Sequence, residues 1–173
     1  MSARLRRYLT VLTLLGVALL VWGLSVAKVT ERRENFWFAR VKSKEPGLKA
    51  EAVYELCRLG SKAKSLIPDL TEMLKDEDPT NRCNSAEILG SIGPDAIEAV
   101  PCLADMLRDD DIHCRLSAIR ALGLIGPQAK AAVPAIIGLL DDKRELHGLS
   151  VRSEAYKALL KIDAEALRNH RPE

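Results

Sequence analysis

Apolar and polar positions recur along most of this chain with a period of about 33 residues, within the range of known repeat families. Six columns keep that period over three copies, among them Pro68, Pro101 and Pro134, and Asp76, Asp109 and Asp142. In each copy, apolar residues at helical spacing predict one helix, a glycine ends it, and a proline opens a second helix. A fixed period of this length is typical of a helical solenoid. The pattern therefore predicts an all-α fold, a short α-solenoid of helical hairpins over residues 47–169.

The first residues follow a different pattern. Residues 8–27 are a run of twenty residues without charge or proline, after a basic tail at residues 1–7. A helix of that length spans about 30 Å, the thickness of a hydrocarbon core. We therefore expect a single transmembrane helix before the solenoid. The alternative is a signal peptide cleaved after Ala27, which would leave a secreted or periplasmic protein.

The orientation of that segment is a weaker expectation. Three arginines precede it, which favours a repeat domain outside the cytoplasm, whereas the basic residues that follow it favour the reverse.

One full period before Leu70 and Leu74 stand Trp37 and Val41, which therefore fall in apolar columns. Residues 28–46 are accordingly interpreted as a juxtamembrane segment with a capping half-repeat, and residues 170–173 as a tail.

The period stretches by four residues after the third copy, so that Arg115 corresponds to Arg152 and Ile125 to Ile162. The extra residues fall in 143–150, which we predict to be a polar loop with a glycine. Asp78 and Asp111 stand where they can cap the first helix of the following repeat.

These residues resemble HEAT-like repeats, in the short form also seen in phycobilisome-lyase-type HEAT proteins. The shared pattern is helix-Ile-Gly-Pro-x-Ala, then Ala-Val-Pro-helix-Asp, and it covers residues 34–169. The resemblance implies that an Asp after each second helix pairs with an Arg at the start of the next repeat and ties the repeats together. In this chain those pairs are Asp76 with Arg82, Asp109 with Arg115, and Asp142 with Arg152. The first boundary departs from the pattern, with Ser43 and Lys49.

Charge and aromatic content argue against a nucleic-acid partner. The net charge of +2 combines +4 on the first thirty residues with 22 basic and 24 acidic residues on the rest, which carries −2. Beyond residue 38 the only aromatic rings are Tyr54 and Tyr156. A single-stranded nucleic acid is usually held by a basic groove with stacking rings, and this sequence predicts neither.

No motif in the sequence predicts an enzyme. The chain of 173 residues excludes a large multidomain enzyme, and it has no phosphate loop, nucleophile elbow or zinc-protease motif. His113-Cys114 lacks second ligands at any zinc spacing, and the acidic runs lack the pattern of a calcium loop. Cys57, Cys83, Cys102 and Cys114 form no CxxC pair, so we expect packed thiols rather than a disulfide or a metal site. We predict no catalytic residue, no cofactor and no metal.

The second helices of a HEAT-like stack line its concave face, and their outward side chains are the candidate binding surface. The residues predicted to bind a protein or peptide partner are Asp69, Glu72, Lys75, Asp105, Arg108 and Asp141. The leading hypothesis is a membrane-tethered, non-enzymatic scaffold or adaptor that binds a protein or peptide. One alternative is a lyase or chaperone resembling bilin lyases. A solvated surface without a specific ligand would have the same composition, which leaves a purely structural role as the third hypothesis.

Overall fold

The computed structural model describes residues 33–146 and 148–169, and this part of the chain is mostly helical. The helices are α1 (33–41), α2 (Pro46–Leu59), α3 (Ile67–Met73), α4 (Pro79–Ile92), α5 (Val100–Met106), α6 (Ile112–Ile125), α7 (Val133–Ile137), α8 (Val151–Ile162) and α9 (Ala164–Asn169). Three 3₁₀ segments, Gly60–Leu66, Gly93–Ala99 and Gly126–Ala132, connect each long helix to the short helix that follows it. The predicted helical repeat is confirmed, whereas the 3₁₀ segments were not foreseen in the sequence.

The long helices α4 and α6 begin at aspartates, and α2, α4 and α6 end at glycines. Asp78 accepts a hydrogen bond from the Thr80 amide at 2.8 Å, and Asp111 accepts one from the His113 amide at 2.7 Å. Both predicted caps are therefore confirmed. Each long helix from α2 to α6 ends at a glycine with positive φ (Gly60, Gly93 and Gly126, at 53°, 78° and 73°). A side chain would strain that backbone, which is why a glycine recurs there once in every period.

The long helices α2, α4, α6 and α8 pack side by side in one layer. The short helices α3, α5 and α7 form the second layer, each against the long helix of the following repeat. One apolar core runs through the stack, and the leucine column at its centre is fully buried (Leu56, Leu89, Leu122 and Leu159). Each hairpin thus buries apolar surface mainly against its neighbours, as expected of a solenoid.

Two glycines inside the long helices allow close helix–helix approach. A Cβ atom on Gly90 of α4 would lie 2.9 Å from the Ala121 Cα of α6. A Cβ atom on Gly123 of α6 would lie 3.2 Å from the Ala158 Cα of α8. The two contacts are equivalent in the repeat register, so small residues set the spacing of the long helices at both interfaces.

The insertion at residues 143–150 forms a hairpin rather than the predicted loop. Strands β1 (Glu145–Leu146) and β2 (Leu149–Ser150) pair antiparallel, with Leu146 opposite Leu149. Gly148, with φ 78°, permits the tight reversal between them. The strict all-α prediction is corrected at this point, because two residues per strand were too few to show alternation in the sequence.

The predicted single-pass membrane localisation is also corrected. Among residues 33–146 and 148–169, no helix is long and apolar enough to cross a membrane. The longest helices for which both ends lie in that part have 14 residues and span about 21 Å, short of a hydrocarbon core. Residues 8–27, to which both the transmembrane and the signal-peptide predictions refer, lie outside the described residues, as do residues 1–7 and 170–173.

Candidate functional site

Five of the six predicted partner-binding residues line two adjoining depressions on the short-helix layer. Asp69, Glu72 and Lys75 line a depression of about 390 Å³, together with Lys42 of the turn after α1. Lys75 also lines the next depression, of about 260 Å³, with Cys102, Asp105 and Arg108. We call the six residues Lys42, Asp69, Glu72, Lys75, Asp105 and Arg108 the charged face. Its side chains lie on consecutive repeats, and Lys75 lines both depressions.

The charged face has two rows of opposite sign. Lys42, Lys75 and Arg108 follow one another at intervals of one period, and Glu72 and Asp105 form an acidic row beside them. All six members of the face are exposed, and none forms an ion pair within the described part of the chain. A partner can therefore pair with these charges without first breaking an internal ion pair.

Lys42 was missed by the sequence reasoning, and Asp141 does not belong to the face. The signal for Lys42 was present, because it lies one full period before Lys75 and therefore in the same column. Asp141 is exposed but lines a separate groove, beside Arg152, at the carboxyl-terminal end of the stack. Asp141 is the next residue in the column of Lys42, Lys75 and Arg108, and it is acidic, so the basic row ends at Arg108.

The contacts between arginines and aspartates of the repeat boundaries, which we call the Arg–Asp ladder, differ from the predicted pairs. Arg82 forms a bidentate contact with the Asp109 carboxylate, with Nε–Oδ2 at 2.7 Å and Nη2–Oδ1 at 2.8 Å. Arg82 reaches Asp76 only through its backbone carbonyl, at 2.8 Å. It therefore joins the turn before α4 to the turn after α5, and its carboxylate partner is Asp109 rather than Asp76. The Arg82 guanidinium lowers the pKa of Asp109.

The next step of the ladder is altered by the insertion. Arg115 donates to the backbone carbonyls of Asp109 and Asp110, as Arg82 does one repeat earlier. The Asp142 carboxylate instead binds Arg144, with Nε–Oδ1 at 2.9 Å, and that contact lowers the pKa of Asp142. The buried Nε of Arg115 consequently has no hydrogen-bond partner among the described residues. The predicted pairs Asp109–Arg115 and Asp142–Arg152 are therefore not carboxylate pairs, because the Asp109 carboxylate binds Arg82 and the Asp142 carboxylate binds Arg144.

We expect Arg82→Gln to lower the free energy of unfolding by about 2 kcal/mol at pH 7, since it leaves a charged Asp109 almost buried without its bidentate partner. The lowered pKa of Asp109 stabilises the fold above the usual aspartate range, and that stabilisation is lost as the pH falls through the folded-state value. The difference in the free energy of unfolding between wild type and variant should therefore be smaller in acid. Urea unfolding at pH 7 and pH 3 measures this difference.

Arg108→Gln is the matched control for that measurement, because Arg108 is exposed and has no ion-pair partner in the described chain. It should change stability by less than about 0.5 kcal/mol at either pH. Equal losses for Arg82→Gln and Arg108→Gln would mean that the Asp109 contact does not stabilise the stack.

A disulfide joins Cys83 of α4 to Cys114 of α6, whose Cα atoms are 4.7 Å apart. The prediction of packed thiols is wrong for this pair, while Cys57 and Cys102 are free. The sequence hid the pair because the two cysteines occupy different repeat columns. The Asp111 carboxylate lies near both sulfurs, in the one group of the described residues whose ligand atoms lie close enough together to hold a metal. In the disulfide form neither sulfur is the thiolate that a metal requires, and Asp111 caps α6.

The half-buried thiol of Cys57 is poorly suited to act as a nucleophile. Burial raises its pKa to about 11. The thiolate is the reactive form of cysteine, so a thiol with this pKa stays protonated near neutral pH.

A family model described as HEAT repeats matches residues 34–123, more than half of the chain. The chain belongs to the HEAT-repeat family. A second model, the PBS lyase HEAT-like repeat, matches residues 115–142 of this HEAT-repeat protein. No curated protein matches this chain.

Solved structures share the fold of this HEAT-repeat protein. Crystal structures of two engineered proteins each match 79% of its chain with 23% identity and a TM-score of 0.56. The HEAT-repeat protein spans 66% of the length of one and 39% of the other. At this identity the likeness concerns the fold alone.

Proposed function

We propose that this HEAT-repeat protein is a non-enzymatic scaffold whose charged face binds a protein or peptide partner. The observation that carries the proposal is the pair of opposite charge rows, exposed and without internal ion pairs among the described residues, on the short-helix layer. Solenoids commonly use such extended surfaces to bind other chains, because successive repeats present equivalent side chains at regular intervals.

The balance of the charges indicates the kind of partner. The face has three cationic side chains, Lys42, Lys75 and Arg108, and three anionic ones. A polyanion would be attracted to the basic row but repelled by Glu72 and Asp105 beside it. A polypeptide segment that carries both acidic and basic side chains can pair with both rows, so we infer an extended segment of mixed charge.

We expect the double charge reversal Glu72→Lys with Asp105→Lys to weaken partner binding by about tenfold or more, because it makes both rows basic. Partners are captured from extracts of the source cells on the purified full chain and identified by mass spectrometry. The affinity of each purified partner is then measured for the wild type and for each variant. The matched control is Glu51→Lys with Glu87→Lys, an equal change in charge on exposed positions of the long helices α2 and α4. A partner that binds all three proteins equally does not use the charged face, and that result would refute the proposal.

A lyase or chaperone acting on bilins is the second candidate. It is supported by the match of residues 115–142 to the PBS lyase HEAT-like repeat, which concerns a type of repeat rather than a reacting group. Purified protein incubated with a bilin and an apo-phycobiliprotein tests it. We expect no covalent bilin attachment above a blank without the protein, and attachment above that level would favour the lyase.

A further inference from the structure

Two sulfurs and a carboxylate lie close together where α4 packs against the amino-terminal end of α6. The ligand atoms of Cys83, Asp111 and Cys114 are all within 4.8 Å of one another. Thiolate sulfur and carboxylate oxygen are both ligands that zinc takes in proteins. At the bond lengths of zinc, the ligand atoms of a tetrahedral site are about 3.3–3.8 Å apart. Small side-chain rotations can therefore enclose an ion once the two sulfurs are no longer bonded to each other.

The cap of α6 leaves one oxygen of Asp111 for a metal ion. The amides of His113 and Cys114 both donate to Asp111 Oδ1, at 2.7 Å and 3.3 Å. Asp111 Oδ2 accepts no hydrogen bond within the described part of the chain. The carboxylate can therefore cap the helix through Oδ1 and bind a metal through Oδ2. Because Asp111 and Cys83 are only partly buried, water has access to a fourth coordination position.

The surroundings of Cys114 suit a reduced cysteine as well as a disulfide. Cys114 lies in the first turn of α6, a helix of 14 residues, and the helix dipole favours an anionic sulfur there. Its Sγ is 3.1 Å from the Pro79 carbonyl oxygen. A thiol can donate a hydrogen bond to that oxygen, whereas a disulfide sulfur has no hydrogen to donate. The reduced, metal-free state thus has a partner for the buried thiol.

Cys83 gives a dithiol reductant access to the disulfide, because it is partly exposed whereas Cys114 is fully buried. A thiolate of the reductant attacks Cys83 Sγ and forms a new S–S bond, and the Cys83–Cys114 bond breaks with its electron pair on Cys114. The second sulfur of the reductant then closes its own disulfide and releases Cys83 as a thiolate. The protein disulfide has gained two electrons and the reductant has lost two. The two protons of the reductant pass to solvent when zinc takes both thiolates.

We propose that Cys83, Asp111 and Cys114 form a redox-switched zinc site, with water as the fourth ligand. Reduction of the disulfide generates the two thiolate ligands, and oxidation by a second disulfide reverses the exchange and releases the ion. The disulfide and the zinc ion each join α4 to α6, so the layer of long helices stays cross-linked under oxidising and reducing conditions. The site uses none of the six residues of the charged face and goes beyond the proposed scaffold function.

Zinc chloride is the probe, titrated into the full chain in competition with a chromophoric chelator. The titration is made before and after reduction with a water-soluble phosphine, which is then removed under nitrogen. We expect one zinc ion per chain after reduction and none before it. Cys83→Ser should abolish binding. Asp111→Asn should weaken it by about tenfold or more, because asparagine still caps the helix but lacks the anionic oxygen.

Two control variants separate this site from other ligands in the chain. Asp78→Asn makes the same change at the equivalent cap of α4 and should leave the zinc affinity unchanged. Cys57→Ser with Cys102→Ser removes the two free thiols and should also leave the affinity unchanged. A loss of affinity in Asp78→Asn as large as that in Asp111→Asn would mean that general charge, and not coordination by Asp111, attracts the ion.

Stability gives a second measurement of the same site. Zinc should raise the urea midpoint of the reduced wild type, because it binds the folded chain, and should not change that of Cys83→Ser or of the oxidised wild type. A reduced chain that circular dichroism shows to be unfolded without metal should regain its helical signal with zinc. Equal zinc binding before and after reduction, or binding that survives Cys83→Ser, would overturn the proposal. Glu72→Lys with Asp105→Lys should bind zinc as the wild type does, whether or not the charged face binds its own partner.

Discussion

Replacing Gly90 by valine is expected to lower the free energy of unfolding by about 2–3 kcal/mol, the upper part of the usual range for overpacking a close-packed interface. The Cβ atom alone would lie 2.9 Å from the Ala121 Cα and 3.2 Å from the Ala121 Cβ. The first of these is a backbone atom of the neighbouring helix and cannot rotate away, so α4 and α6 must separate. Urea unfolding followed by circular dichroism measures the loss.

Gly138→Ala is the control for that substitution. Gly138 has φ −60°, and a Cβ atom there would meet nothing closer than the Ala135 carbonyl oxygen at 3.5 Å. We expect a gain of about 0.5 kcal/mol, since alanine restricts the unfolded chain without straining the folded one. A similar loss for both substitutions would show that the α4–α6 contact is not the cause. A Gly90→Val protein as stable as wild type would show that the helices can separate without cost.

Loss of the Cys83–Cys114 disulfide is expected to lower the free energy of unfolding by about 3–4 kcal/mol, in the chain-entropy account of a loop of this length. The two cysteines are 31 residues apart, so the cross-link restricts a long loop of the unfolded chain. Urea unfolding of the wild-type protein with and without a dithiol reductant measures the difference. The Cys83→Ser variant should unfold at the midpoint of the reduced wild type under both conditions.

Cys102→Ser is the control, because Cys102 is free and only partly buried. It should keep both the stability of the wild type and its sensitivity to reductant. A thiol titration of the denatured, unreduced wild type should find two free thiols per chain, those of Cys57 and Cys102. Four free thiols, or a midpoint that reductant does not change, would contradict a stabilising disulfide.

Both contacts that these predictions test lie between α4 and α6, and both join residues whose separation along the chain differs from the repeat period. Gly90 contacts Ala121, and Cys83 bonds to Cys114, so these residues that meet between α4 and α6 have the same separation along the chain. Equivalent residues of neighbouring repeats, such as Gly93 and Gly126, are two positions further apart. That difference is the axial offset between neighbouring long helices, and packing of their side chains decides it. Comparison of repeat columns therefore could not pair the two cysteines.

The charged face was more predictable than the ladder for a simple geometric reason. Whether Glu72 or Asp105 points outward depends on helical periodicity, which one helix determines by itself. Which carboxylate Arg82 binds depends on the relative position of the turn before α4 and the turn after α5. The insertion added Arg144 next to Asp142, and its short-range contact displaced the pairing that the family pattern implied.

The sequence by itself determined the repeat, its helices and their caps, because spacing of leucine, glycine, proline and aspartate acts over one or two helical turns. It also determined the exposed charge rows, since each side chain lies where its own helix places it. Only the tertiary structure decided the Cys83–Cys114 disulfide, the Arg82–Asp109 contact and the position of the Asp111 carboxylate beside both sulfurs. Each of those depends on how whole helices are offset, which is a property of packing between elements.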